Sequence, residues 1–94
     1  MYMLHVVATC DTQQSLKEPE VLMQALQEAD AGRGWLEHAR IHLSRGGARG
    51  VLFLSGPAAY EVQQYGRDLF GRAVSNEPAL ATWALSECAL LPMA

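Results

Sequence analysis

The chain has 94 residues, a formal net charge of −3 at pH 7 and 50% apolar residues. This length suits one domain with one hydrophobic core, and the apolar content is too high for an intrinsically disordered protein. The acidic balance gives no electrostatic footprint for a phosphate backbone, so we expect no nucleic-acid partner. The composition therefore predicts a single folded domain over residues 1–94.

Signals for export and for membrane insertion are not visible in the sequence. Residues 1–8 lack the basic segment of a signal peptide, and no apolar run approaches the roughly 20 residues that cross a bilayer. We expect a cytoplasmic protein without a membrane partner, in which Cys10 and Cys88 stay reduced and form no disulfide.

The first predicted elements are a strand over residues 2–9 and a helix over residues 19–32. The strand is a dense apolar run with β-branched residues, followed by polar residues. The helix opens at Pro19, which suits a first helical turn, and its apolar residues fall on one face. Those residues are Val21, Leu22, Ala25, Leu26 and Ala29.

Residues 36–43 are compatible with two structures. Apolar and polar residues alternate as in a half-buried strand, which would form a hairpin with residues 48–55 through a glycine-containing turn. A helix capped at Gly46-Gly47 is the other interpretation. Ile41 and the strict alternation favour the strand, which is the structure we predict.

The second half of the chain predicts one helix and one strand. Residues 51–54 are entirely apolar, and Pro57 is expected at the first position of a helix whose apolar stripe reaches Ala73. A turn at residues 75–78 then leads to a last strand over residues 80–90, which includes Trp83.

The predicted order is strand, helix, strand, strand, helix, strand. These six elements form two split βαβ units. Two split βαβ units fold into an α+β, ferredoxin-like antiparallel sheet with both helices on one face. In this order, and in the Glu77-Pro78 turn before a strand carrying Trp83, the chain resembles the dimeric α+β barrel superfamily, which includes muconolactone isomerases and antibiotic-biosynthesis monooxygenases. The resemblance covers most of the chain without a catalytic signature. It implies a ferredoxin-like fold that dimerises through the sheet face opposite the helices.

Strand parity predicts which side chains face away from the helices. They are Met3, His5, Val7, His38, Arg40, His42, Ala84, Ser86 and Cys88. This face combines all three histidines with apolar residues that do not suit exposure to water. A second copy of the chain is the expected cover, since two-fold dimers are the commonest soluble oligomers.

Sites for metals and cofactors are not indicated. His38 and His42 would lie about 6 Å apart on a helix and could share a metal, but about 13 Å apart on a strand, where they cannot. Residues 46–50 are rich in glycine but lack the Lys-Ser or Lys-Thr of a phosphate loop and precede a strand. We therefore expect a hairpin turn there, no metal and no cofactor.

Four residues are candidates for catalysis on the open side of the sheet. His5, Arg40, His42 and Ser86 could converge in a cleft where an imidazole moves protons, or could be ordinary polar residues of a sheet face. Neither cysteine has a neighbouring histidine or helix N-terminus that would activate it as a nucleophile.

Two functions are compatible with these features. The first is a homodimer that binds a small, largely apolar molecule, with cofactor-independent isomerase, cyclase or monooxygenase chemistry implied by the resemblance. The second is a non-enzymatic interaction or accessory domain that uses its open sheet face to bind a partner protein. An enclosed cavity with His5, Arg40 or His42 at its wall would favour the first, and a flat, filled interface would favour the second.

Overall fold

A computed structural model describes residues 1–92 and shows an α+β fold with four strands and two helices. The elements are β1 (Tyr2–Thr9), α1 (Pro19–Asp30), β2 (Leu36–Ser44), β3 (Gly47–Leu54), α2 (Ala59–Asn76) and β4 (Ala84–Leu90). Short 3-10 turns occupy Thr12–Gln14 and Pro78–Leu80. Among residues 1–92, neither helix is long and apolar enough to cross a membrane.

The four strands form one antiparallel sheet in the order β2-β3-β1-β4, which fits a ferredoxin-like arrangement. The strand predicted for residues 36–43 is confirmed, and the helical alternative is wrong. β2 and β3 pair across a tight turn in which Gly46 has a φ of +82°. Glycine adopts this left-handed conformation at little cost, so the turn chemistry fixes the hairpin.

Both helices pack on one face of the sheet and share a single core with it. Alternate residues of β1 are buried, with Leu4 fully buried and Val6 3% exposed, while Met3, His5 and Val7 between them are only half-buried. The helices bury Leu22, Ala25, Leu26, Val62, Tyr65, Leu69, Phe70 and Ala73 against this face. The opposite sheet face is covered by no element of residues 1–92.

The starts of α2 and β4 differ from the sequence prediction. Ala58 is extended (φ −151°, ψ 154°), so α2 begins at Ala59 and Pro57 precedes the helix instead of occupying its first turn. The last strand begins at Ala84 because Pro78–Leu80 forms a 3-10 turn, after which the Trp83 N–H donates to the Leu80 carbonyl.

A β-bulge in β4 changes which side chains face the core. Val7 pairs with Glu87 and Ala8 with Leu85, so Ser86 is an extra residue without a cross-strand partner. The bulge reverses the predicted parity beyond Ser86. Cys88 therefore points toward the helices and is 4% exposed, contrary to the prediction, and Glu87 takes a place on the opposite face.

Asp30 connects α1, β2 and α2 through a buried carboxylate. The Asp30 carboxylate accepts hydrogen bonds from the backbone N–H groups of Trp35 and Leu36, each at 3.0 Å, and from the Tyr65 hydroxyl. Burial and the Asp30 hydrogen bond raise the pKa of Tyr65 to about 12. The guanidinium of Arg33 lies 4.8 Å from the Trp35 ring centroid and covers this cluster from outside.

Gly66 allows α2 to approach β1 closely. A Cβ atom built on Gly66 would overlap Cδ2 of the fully buried Leu4, whereas one built on Gly71 would meet no atom within 4 Å. Replacing each of these two glycines of α2 with alanine therefore distinguishes the effect of core packing on stability from the effect of helix propensity.

We expect Gly66→Ala to lower the free energy of unfolding by about 1–3 kcal/mol, because the added methyl group would overlap the buried side chain of Leu4. Gly71→Ala is the matched control and should leave stability unchanged or raise it by up to about 1 kcal/mol. Urea denaturation measures both. Equal effects of the two substitutions would contradict the close packing of α2 on β1.

Tyr65→Phe should lower the free energy of unfolding by about 1–2 kcal/mol at neutral pH, because a buried carboxylate loses one donor. The raised pKa favours the protonated phenol in the folded state, so its contribution is complete below pH 10 and lost as the pH rises toward about 12. The parent should therefore lose up to about 2–3 kcal/mol more than Tyr65→Phe between those pH values in urea denaturation. An identical alkaline decline in both proteins would contradict this assignment.

Candidate functional site

The sheet face that the helices leave uncovered, called the open face below, consists of cross-strand rows of side chains. One row contains His38, Phe53 and Met3; the next contains Arg40, Val51, His5 and Ala89; the third contains His42, Arg49, Val7 and Glu87. All three histidines lie on this face, as strand parity predicts.

The centre of the open face is mainly apolar. Met3 and Val7 on β1 and Val51 and Phe53 on β3 are each half-buried within the single chain, although no helix covers them. These four residues form the apolar stripe. Because β1 and β3 are the two inner strands, the stripe runs along the middle of the sheet and not along an edge.

Titratable side chains lie within and beside the apolar stripe, with His5 on β1 between Met3 and Val7 and His38 on β2 beside Phe53. Nδ1 of His5 lies 3.9 Å from Oε2 of Glu87, and the His38 ring centroid lies 5.7 Å from that of Phe53. The bulge therefore places the Glu87 carboxylate beside the His5 ring.

Arg40, His42 and Arg49 form a basic cluster on β2 and β3. His42 and Arg49 are direct cross-strand partners, and Arg40 lies two residues from His42 on the same face of β2. Directly paired residues have Cβ atoms about 5 Å apart, and diagonal neighbours remain within reach of long side chains. Among residues 1–92, neither arginine has a carboxylate oxygen within 4.0 Å. The cluster therefore presents uncompensated positive charge.

A surface groove of about 450 Å³ adjoins the basic cluster. Its lining includes His42 and Arg49 of the cluster, together with Val7. The next row of the open face pairs Ser44, Gly47 and Thr9, and Gly47 contributes no side chain, so the surface is lowered there. The groove is open to solvent and is not an enclosed cavity.

The structure brings together only part of the predicted catalytic set. Arg40 and His42 are neighbours on β2, but Val51 separates Arg40 from His5 by two strand spacings, about 10 Å. Ser86 lies at the bulge on the opposite edge strand, and its hydroxyl donates to the Val7 carbonyl at 3.1 Å. Convergence of all four residues within one chain is not observed.

Sequence reasoning misses the two charged residues Arg49 and Glu87 of this face. It assigns Arg49 to neither face, because residues 51–54 are all apolar and leave the parity of β3 open. Glu87 is also left unassigned, and the bulge that directs it to the open face has no signal in the predicted alternation.

The metal and thiol chemistry of the described residues is limited. His38 and His42 lie on a strand, about 13 Å apart, which is too far to share one ion. No group of three or more His, Cys, Asp or Glu residues within residues 1–92 is placed to hold a metal ion. Cys10 and Cys88 are free thiols, and burial raises the pKa of Cys88 against the opposing effect of Arg67. A thiol that resists ionisation is a poor nucleophile.

A second concave surface of about 270 Å³ lies on the helix side of the molecule. Arg33, Trp35, Tyr60 and Tyr65 contribute to its wall, and Tyr60 is 72% exposed. The Tyr65 hydroxyl already donates a hydrogen bond to Asp30, so it stabilises the fold and is not free to bind a ligand.

Comparison of the chain with models of protein families, with curated proteins and with solved structures finds no match.

Proposed function

We propose that the chain forms a homodimer through its open face, as a dimeric α+β barrel, and that the dimer holds a small, largely apolar molecule against the sheet. The observation that carries this proposal is the apolar stripe on a face that neither helix covers. An uncovered apolar surface along the middle of a sheet is typical of an interface or a ligand groove.

Charge complementarity supports a particular arrangement of the two copies. A two-fold axis parallel to the strands places β4 of one copy opposite β2 of the other. Glu87 of each copy then faces the β2 edge that carries Arg40 and His42 in its partner. A two-fold axis perpendicular to the strands would instead oppose the two basic edges, which costs free energy.

The space between the two sheets suits a ligand with an apolar body. The apolar stripe supplies the contact area, and the imidazole groups of His5, within the stripe, and of His42, on β2, can act as proton donors or acceptors. His5, Arg40, His42 and Ser86 are the candidates for cofactor-independent isomerase, cyclase or monooxygenase chemistry in such a site. Arg40 and His5 are about 10 Å apart within one chain, so a site that needs both groups would be completed by residues of the partner copy.

The alternative is a non-enzymatic interaction or accessory domain. It is favoured by one observation, the open and shallow form of the groove beside His42 and Arg49. In this case the apolar stripe would contact a different protein. The free thiols Cys10 and Cys88 support a cytoplasmic location for either function.

We expect Val7→Asp to convert the dimer into monomer. The new carboxylate would lose its hydration in the interface, and its cross-strand neighbour Arg49 would offset only part of that cost, so the dissociation constant should rise at least about tenfold, which corresponds to ~1.4 kcal/mol. Sedimentation velocity over a range of protein concentrations measures the shift.

Gln64→Asp is the matched control, since it introduces the same charge on the exposed side of α2. It should leave the dimer intact. A parent protein that is monomeric at high concentration, or a Val7→Asp protein that associates like the parent, would refute assembly through the open face.

A further inference from the structure

We propose that the basic cluster of Arg40, His42 and Arg49 is a binding site for the carboxylate of an apolar monocarboxylic acid. The inference rests on the proposed function and specifies the ligand class for the same face. It assigns the acid group to the cluster and the hydrocarbon part to the apolar stripe.

The arginines of this chain differ in their partners. Arg33 and Arg72 lie over aromatic rings, and Arg67 donates to the Cys88 carbonyl. Within residues 1–92, Arg40, Arg45 and Arg49 have no ion pair, side-chain hydrogen bond or ring contact, and of these Arg45 lies in the turn between β2 and β3 while Arg40 and Arg49 lie on the open face. Two free guanidinium groups therefore lie on neighbouring strands of an otherwise acidic chain.

The carboxylates nearest to Arg40 and Arg49 along the sheet are not positioned to neutralise them. Glu87 shares a row with Arg49 but is separated from it by Val7, about 10 Å in strand spacing, and lies beside His5. Glu37 lies at the bulge at the start of β2, without an ion pair to Arg40. In the proposed dimer, Glu87 of the other copy can compensate one of these two arginines, so one guanidinium group per copy is left for an external anion.

The shape and chemistry of the groove suit a carboxylate joined to an apolar body. A carboxylate accepts paired hydrogen bonds from a guanidinium, and the groove of about 450 Å³ beside His42 and Arg49 has room for it. Val7 adjoins Arg49, and Val51 adjoins Arg40, so an alkyl or aryl body continues directly onto the apolar stripe. A polyanion such as a nucleic acid is disfavoured by the net charge of −3.

Isothermal titration calorimetry on the full chain tests this inference with octanoate. Octanamide has the same apolar body without the charge, and acetate has the charge without the body. We expect octanoate to bind at least about tenfold more tightly than either, since both parts of the site contribute.

Arg40→Gln and Arg49→Gln should each weaken octanoate binding at least about tenfold and leave octanamide binding unchanged. Lys17→Gln is the control, since it removes the same charge from an exposed loop residue and should have no effect. Equal binding of octanoate and octanamide, or equal losses in Lys17→Gln and Arg49→Gln, would overturn the assignment. Inorganic phosphate or a single-stranded oligonucleotide that binds more tightly than octanoate through Arg49 would also overturn it.

Sedimentation of the same samples separates this inference from the proposed dimer. A dimeric protein without octanoate binding refutes the carboxylate site and leaves the dimer standing. A monomeric protein that binds octanoate through Arg40 and Arg49 supports the site and refutes the dimer.

Discussion

The two helices of this chain have only enough apolar surface to cover one face of its four-stranded sheet, yet the inner strands are apolar on both faces. In β1, Leu4 and Val6 pack under the helices while Met3 and Val7 point the other way. The same holds for β3, where Leu52 and Leu54 are buried and Val51 and Phe53 form part of the open face. Burial of apolar area is the main source of stability, and the apolar area of the open face is only partly buried in the single chain. The proposed dimer and ligand site both follow from this constraint.

The bulge at Ser86 determines the chemistry of that face. In a regular strand beyond Leu85, Glu87 would point into the core beside Val6, and Cys88 would point outward. A buried carboxylate without a partner is costly, whereas a cysteine is readily buried. The extra residue at Ser86 resolves this conflict, because it directs Cys88 inward and brings Glu87 beside His5. The single acidic group in the cross-strand rows of the open face therefore depends on one irregularity of the backbone.

The sequence predicts local structure well where the signal is periodic. The alternation around Ile41 predicts β2, and Gly46 predicts its turn, because both depend on neighbouring residues. The contact between Asp30 and Tyr65 could not be predicted, since it joins residues from two helices and depends on tertiary packing. The bulge at Ser86 could not be predicted for the same reason. The sheet face of Arg49 could not be predicted because residues 51–54, which follow it, are all apolar and do not show which side of β3 faces the core.

The charge of the open face links assembly to ligand binding. Counting histidines as neutral, Arg40 and Arg49 against Glu87 leave one uncompensated positive charge per copy in the cross-strand rows. Face-to-face association brings two such faces into a less polar space, where like charges repel more strongly. One monocarboxylate per copy would neutralise each face and add apolar area to the same contact. A ligand that binds the dimer more tightly than the monomer must also stabilise the dimer by the same free energy. The basic cluster therefore opposes assembly in the absence of an anion and favours it when the anion is bound.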